Sequence, residues 1–184
     1  MRICTDFTTV PDEYAKAADE SGRLDGTPVV SFPFFIRDIP SDAKYLHWEF
    51  VDDDAIEVCG FQWIHWSVAN LPVESLMADI NDAGAVMIPA GFSAKLPSLV
   101  PQAVQGKTSA ASPLVGRSEN VNVTERYNGP QPPNAPHAYM LSVYATSKPL
   151  EGLEQGFWLN RLRNALRDCD CVVGYDCKWL KGMN

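Results

Sequence analysis

Apolar and polar residues alternate along residues 44–51, with Leu46, Trp48 and Phe50 on one side and Tyr45, His47 and Glu49 on the other. Period-two alternation predicts a strand that buries one face. A second strand is predicted from Trp63. Its apolar row is Ile64, Trp66 and Val68, its opposite face carries Trp63, His65 and Ser67, and Asn70-Leu71-Pro72 ends it. A third strand follows the turn-rich run Gly129-Pro130-Gln131-Pro132-Pro133, placing His137 and Tyr139 on one face and continuing through Val143-Tyr144-Ala145. The period changes near the end of the chain. Trp158, Leu162, Ala165, Leu166 and Cys169 recur at i, i+4, i+7, i+8 and i+11 against polar Arg161, Arg163, Asn164 and Arg167, which predicts an amphipathic helix. A shorter helix is predicted over residues 14–18. Residues 79–125 show scattered Gly, Pro, Ser and Asn, and so long a connection marks a functional or dimer-forming excursion.

The chain has three histidines, and two of them enter these strands directly after loops. Asp52-Asp53-Asp54-Ala55 precedes the strand holding His65, and the Pro-rich run precedes His137. Carboxylates, imidazoles and a phenol gathered where strands meet loops form a candidate small-anion pocket. Asp52 and Asp54 also suit turn capping, because Asp bonds backbone groups in loops. Asp53, between them, is expected to face solvent. His47 lies mid-strand outside any motif and reads as structural. Trp48, Trp63 and Trp66 read as core more than as a ligand cage.

Composition narrows the classes. A length of 184 residues, 46% hydrophobic and 21% charged, fits one globular domain spanning residues 1–184. The net charge of -8 excludes a nucleic-acid footprint, which needs a basic stripe. Apolar runs are broken before they could span a membrane, so no integral membrane segment is expected. The start, Met1-Arg2-Ile3-Cys4-Thr5-Asp6, lacks a secretory pattern. Five cysteines without a CxxC pair read as free thiols in a reducing cytoplasm, with no disulfide. Asn122-Val123-Thr124 matches a glycosylation sequon that would then be incidental. Ser93 and Ser118 lack a Gly-x-Ser-x-Gly elbow, and the Asp/His spacing matches no standard metal motif. No metal or cofactor is expected.

The two motifs, in this order, resemble the phosphatidylethanolamine-binding protein family, also called Raf-kinase-inhibitor-like. Its signatures are an Asp-Pro-Asp-Ala-Pro segment before a Trp-His-Trp-type strand and a Gly-Pro-x-Pro-Pro loop before His-Arg-Tyr. Here they read Asp52-Asp53-Asp54-Ala55-Ile56 with Trp63-Ile64-His65-Trp66, and Gly129-Pro130-Gln131-Pro132-Pro133 with His137-Ala138-Tyr139. Pro28-Val29-Val30-Ser31-Phe32-Pro33, Ile39-Pro40 and Gly174-Tyr175 extend the likeness over most of the chain. Both prolines of the first signature are absent, and Ala138 replaces the arginine, so the family's cis-proline geometry does not carry over.

The resemblance implies an antiparallel Greek-key β-sandwich with a few short peripheral α-helices, of the bacterial branch, pairing as a homodimer. It implies a non-enzymatic pocket formed by Asp52, Asp54, His65, His137 and Tyr139, walled by Trp63 and Pro133. That pocket would bind a phosphate-bearing small molecule, a phospholipid head group or a phosphopeptide, with modulation of a kinase. Two alternatives belong to other classes. One is a protease inhibitor acting through the loop from Gly84 to Ser118, and the other is a phosphoester hydrolase using the Asp/His cluster. An anion site containing aspartates requires that their charge be neutralised or held by N–H donors, leaving imidazole and phenol for the ligand. Imidazole donors would make binding stronger below pH ~6.5.

Overall fold

The computed structural model describes residues 1–79, 85–116 and 118–184. In chain order the elements are β1 (Arg2–Cys4), β2 (Arg23–Leu24), β3 (Thr27–Pro28), β4 (Phe34–Arg37), β5 (Tyr45–Asp52), α1 (Ile56–Cys59) and β6 (Trp63–Pro72). There follow β7 (Val86–Ile88), α2 (Phe92–Leu99), β8 (Val104–Gln105), α3 (Val121–Thr124), β9 (His137–Thr146), α4 (Leu159–Asp168) and β10 (Val172–Gly182). Two antiparallel sheets dominate, ordered β10-β9-β5-β6-β8 and β1-β4-β7. The mainly β expectation holds, with the helices short and peripheral.

The two sheets enclose one core. Leu46, Trp48 and Phe50 of β5 and Leu141, Val143 and Ala145 of β9 pack with Phe34 and Ile36 of β4 and with Ile88 of β7. Aromatic rings fill the space between them: Trp48 and Trp66 have centroids 5.0 Å apart, and Phe34 meets Trp48 edge-on at 5.6 Å. Such pairs add about 1 kcal/mol each beyond the area they bury.

The other face of the larger sheet is covered by α4. Leu159, Leu162 and Leu166 pack against Val51 and Ala69. Trp158 was expected to open this stripe, but it precedes the helix and stays 40% exposed, while Leu159 takes the buried position. Arg163 Nε donates to Glu49 Oε2 at 2.8 Å, and Tyr144 Oη donates to Glu49 Oε1 at 3.2 Å. This buried carboxylate, with a cation from α4 beside it, fixes the helix to the sheet. Burial and Glu49 together raise the Tyr144 pKa.

Several local expectations are corrected. Residues 14–18 do not form a helix. A single 3₁₀ turn, Asp12–Tyr14, reaches only the first of them. The loop-rich stretch contains β7, α2, β8 and α3, and Gly84 lies outside the described residues. The described peptide bonds are trans, including those near Asp54-Ala55-Ile56.

The absence of a disulfide is also overturned, because Cys169 and Cys171 are bonded. Two residues apart within a helix they could not pair, but Cys169 has already left α4 with extended dihedrals, φ -98° and ψ 141°. The Cα atoms are therefore 5.2 Å apart, within the ordinary disulfide range. Cys4, Cys59 and Cys177 are free thiols.

Candidate functional site

Three neighbouring strands deliver one row of side chains. Asp52 ends β5 on the Phe50 face, and its register partners are Trp63 on β6 and Tyr139 on β9. His137 opens β9 on the same face as Tyr139, as the alternation predicts.

His65 reaches this row by a different route. Between Phe50↔Trp66 and Val51↔Ile64 the register shifts, and His65 is the extra residue of a β-bulge. A bulge lets two successive residues turn toward one side. Trp66 consequently joins the core while His65 sits beside Tyr139, with ring centroids 5.1 Å apart. The expected apolar row of Ile64 with Trp66 is therefore split, Ile64 packing toward α4. Ser67 likewise pairs with Glu49 and does not share the His65 face.

The loop after α3 closes the site. Asn128 N donates to the His65 carbonyl at 2.9 Å, and Gly129 N donates to the Pro28 carbonyl at 2.8 Å. Gly129 has no room for a side chain, since a Cβ there would collide with the Tyr14 carbonyl and come within 2.8 Å of Pro28 Cβ. The result is a cavity of about 260 Å³ lined by Asp52, Trp63, His65, His137, Tyr139 and Pro133, with Cys59, Asn128 and Gln131 among its other walls. Pro133 sits at the exposed rim, and Trp63 is half-buried.

Asp54 does not line the cavity. It is exposed, and its Oδ2 accepts from Ala138 N at 2.8 Å, tying the acidic loop to β9. Asp53, expected in solvent, is half-buried and bonds Gln62. The turn-capping role expected of Asp52 and Asp54 is met by Asp52, which accepts from Ala55 N, whereas Asp54 bonds the distant Ala138 N.

Asp52 is 3% exposed, and both of its oxygens are engaged. Oδ1 accepts from Ala55 N at 3.1 Å, and Oδ2 lies 2.7 Å from His137 Nδ1. His137 Nε2 in turn lies 2.8 Å from Asn134 Oδ1. With both ring nitrogens occupied, His137 holds Asp52 in place and offers the cavity no free N–H.

His65 differs. Its Nδ1 is 2.6 Å from the Asn128 carbonyl, which can only accept, so the proton is on Nδ1. Burial lowers its pKa to about 4, against the opposing pull of the Asn128 carbonyl and Asp52, so the ring is neutral near pH 7. Nε2 is then a buried lone pair with no protein partner. Tyr139 Oη is likewise buried and lacks a well-formed hydrogen bond, although it lies beside Asp52. Burial, then Asp52, raises the Tyr139 pKa and keeps the phenol protonated.

His47 belongs elsewhere. Its Nε2 meets Thr146 Oγ1 at 2.9 Å, its Nδ1 accepts from Asn70 N at 3.0 Å, and burial lowers its pKa to about 3. It is a structural histidine at the second register shift between β5 and β6.

Sequence reasoning missed Asn128 and Asn134. Asn128 acts through its backbone carbonyl, which side-chain chemistry does not reveal, although it directly precedes the Gly129-Pro130-Gln131-Pro132-Pro133 run. Among the described residues no group of three or more His, Cys, Asp and Glu side chains is arranged to hold a metal.

The family model for phosphatidylethanolamine-binding protein matches residues 4–170. The uncharacterised protein YxkA of Bacillus subtilis is 44% identical over 157 residues, covering 85% of this chain and 84% of that one. Two crystal structures share the fold. A phosphatidylethanolamine-binding protein homologue from Chlamydia trachomatis has a TM-score of 0.67 at 23% identity, covering 97% of this chain and 94% of its own. YbcL of E. coli, a member of the mammalian family, has a TM-score of 0.69 at 16% identity, covering 100% of this chain and 98% of its own.

Proposed function

The chain belongs to the phosphatidylethanolamine-binding protein family, and on that premise we propose that the cavity between Asp52 and Tyr139 binds a phosphate-bearing small ligand without turning it over. One observation carries the reading. The cavity's carboxylate is engaged by Ala55 N and His137, while His65 Nε2 has no protein partner and Tyr139 Oη has none but the neighbouring Asp52, without a well-formed bond to it. A buried polar atom left unpaired costs about 1–3 kcal/mol, and a ligand oxygen meeting it recovers that cost. The Tyr139 phenol supplies the donor an anion needs.

A phospholipid head group or a phosphorylated peptide presents the same oxygens, and binding of a phosphorylated partner is the route by which the site would modulate a kinase. The cavity is small, which suits modest affinity. Calorimetry with phosphorylethanolamine tests the reading. We expect saturable binding that Tyr139→Phe weakens about tenfold, a loss of roughly 1.4 kcal/mol. Equal binding by the two proteins would place the ligand elsewhere.

Among the described residues no helix is long and apolar enough to cross a membrane. A cytoplasmic location is part of the proposal, although the Cys169–Cys171 bond removes the support that five free thiols would have lent it. A homodimer is likewise proposed, supported by Tyr175 and Trp179 of β10, which stand 51% and 55% exposed. A sedimentation mass staying at 20.3 kDa over a broad concentration range would exclude it.

A further inference from the structure

Two buried polar atoms of the cavity lack a well-formed hydrogen bond, and they are unlike. Tyr139 Oη carries a proton to give. His65 Nε2 does not, because Nδ1 already holds the ring's proton against the Asn128 carbonyl at 2.6 Å. A fully deprotonated anion has only acceptors, and can satisfy Tyr139 but not His65. We infer that the pocket takes an oxyanion that brings its own hydroxyl proton, a phosphomonoester monoanion or free phosphate, in preference to sulfate or a phosphodiester. The inference rests on the anion-binding reading above and sharpens it to a ligand class, since a membrane phospholipid is a diester and lacks that proton.

The neighbours of His65 support this assignment of roles. From β5 it faces Asp52, and from β9 it faces His137 and Tyr139. The loop contributes the Asn128 carbonyl, and α1 contributes Cys59 to the same cavity. Of these, the Asn128 carbonyl and Asp52 favour a charged imidazole, and the oxygens of Asp52 are committed to His137 and Ala55 N. Phe50 lies against the ring at 5.6 Å, and the burial that disfavours its charge outweighs Asp52. The imidazole therefore remains an acceptor at about pH 5.5, where a phosphomonoester still carries its last proton. An acceptor with no donor of its own discriminates strongly, because the wrong ligand leaves it buried and lone pair faces lone pair.

Four probes decide the matter by calorimetry on the intact protein: methyl phosphate, inorganic phosphate, dimethyl phosphate and sulfate. At about pH 5.5 methyl phosphate is mostly the monoanion, since its second pKa is near 6. We expect it to bind at least about tenfold more tightly than sulfate or dimethyl phosphate there, neither of which has a proton to donate. Raising the pH to about 8 leaves roughly 1% of the monoester protonated and should weaken it by about sevenfold to seventyfold, according to how weakly the dianion binds. Inorganic phosphate keeps a hydroxyl at both values and should lose much less. His65→Gln should narrow the preference over sulfate, because a carboxamide can turn either its oxygen or its NH₂ to the ligand.

Sulfate or dimethyl phosphate binding as tightly as methyl phosphate at the lower pH would overturn the proton requirement while leaving an anion pocket in place. Absence of binding by all four would overturn the anion pocket itself and this inference with it. The wild-type titrations stand on their own should the variant fold poorly.

Discussion

His137 Nδ1 stands 2.7 Å from Asp52 Oδ2, and both side chains are buried. The pair joins the end of β5 to the start of β9, so it is an architectural clamp before it is a ligand contact. Removing one partner of a buried ion-type pair strands the other, at a cost of about 3–5 kcal/mol. His137→Ala should lose stability in that range, because Asp52 would keep only the Ala55 N–H. Adding Asp52→Ala to it should cost less than the sum of the single losses. Urea unfolding of the four proteins gives the coupling. A value under about 0.5 kcal/mol would mean that the two groups act independently.

Stability should fall in mild acid because two histidines are held neutral. His65 and His47 have native pKa values of about 4 and about 3, against about 6.5 in the unfolded chain. Between pH ~6.5 and ~4 the unfolded state therefore takes up protons that the native state refuses. This contribution is intact above pH ~6.5 and is lost as pH falls toward the native pKa values, at up to about 1.4 kcal/mol per unit for each ring. Unfolding free energies at pH 7.5, 5.5 and 4.5 would show the decline. In His47→Asn the slope should be about halved. An unchanged stability down to pH 4.5 would mean that the rings are charged in the native state.

The same His65 value corrects an expectation about binding. An unperturbed imidazole donor would place the pH dependence near 6.5. Burial moves the proton of His65 below that window, so this ring contributes no dependence near pH 6.

How far the sequence announced all this depends on whether backbone alternation persists. It persists in β9, and His137 and Tyr139 fall where the pattern puts them. It breaks in β6, where the bulge at His65 separates Ile64 from Trp66 and reverses the side on which Ser67 lies. A bulge is set by the partner strand's register, which no single strand's pattern records. Asp52 and Asp54 were indistinguishable as letters. Only the register with Tyr139 sends one inward, and the other bonds Ala138 N. Trp158 matched the helical stripe but fell one residue outside the helix, as boundaries read from periodicity often do. The Cys169–Cys171 bond was unreadable for the same reason, since it depends on the residue at which α4 stops.

That bond makes a simple prediction. Under denaturing, non-reducing conditions three thiols, those of Cys4, Cys59 and Cys177, should react with a thiol reagent, rising to all five cysteines after reduction. The closed loop is short, so loop-closure entropy assigns the bond only about 1.6 kcal/mol of stability. Cys169→Ser with Cys171→Ser should lower the unfolding free energy by about that amount and leave the cavity untouched. Five reactive thiols before reduction would show that the pair is open in the purified protein.

A glycine on the far strand sets the position of the phenol. Gly182 of β10 is the register partner of His137 on β9. A Cβ at Gly182 would collide with the Tyr139 ring and come within 3.0 Å of Pro130 Cβ. Neither neighbour yields easily, because Tyr139 is fully buried and Pro130 is held in the loop that closes the cavity. Gly182→Ala should therefore destabilise by about 1–3 kcal/mol through overpacking. It should also displace Tyr139 Oη and weaken methyl phosphate binding about tenfold. Gly174→Ala is the matched control on the same strand. Its nearest neighbours are Pro40 Cγ at 3.1 Å and Ala145 Cβ at 3.4 Å, none of them in the cavity. The control should lose some stability and keep its affinity. If the two variants bind alike, the position of the Tyr139 phenol does not govern the site.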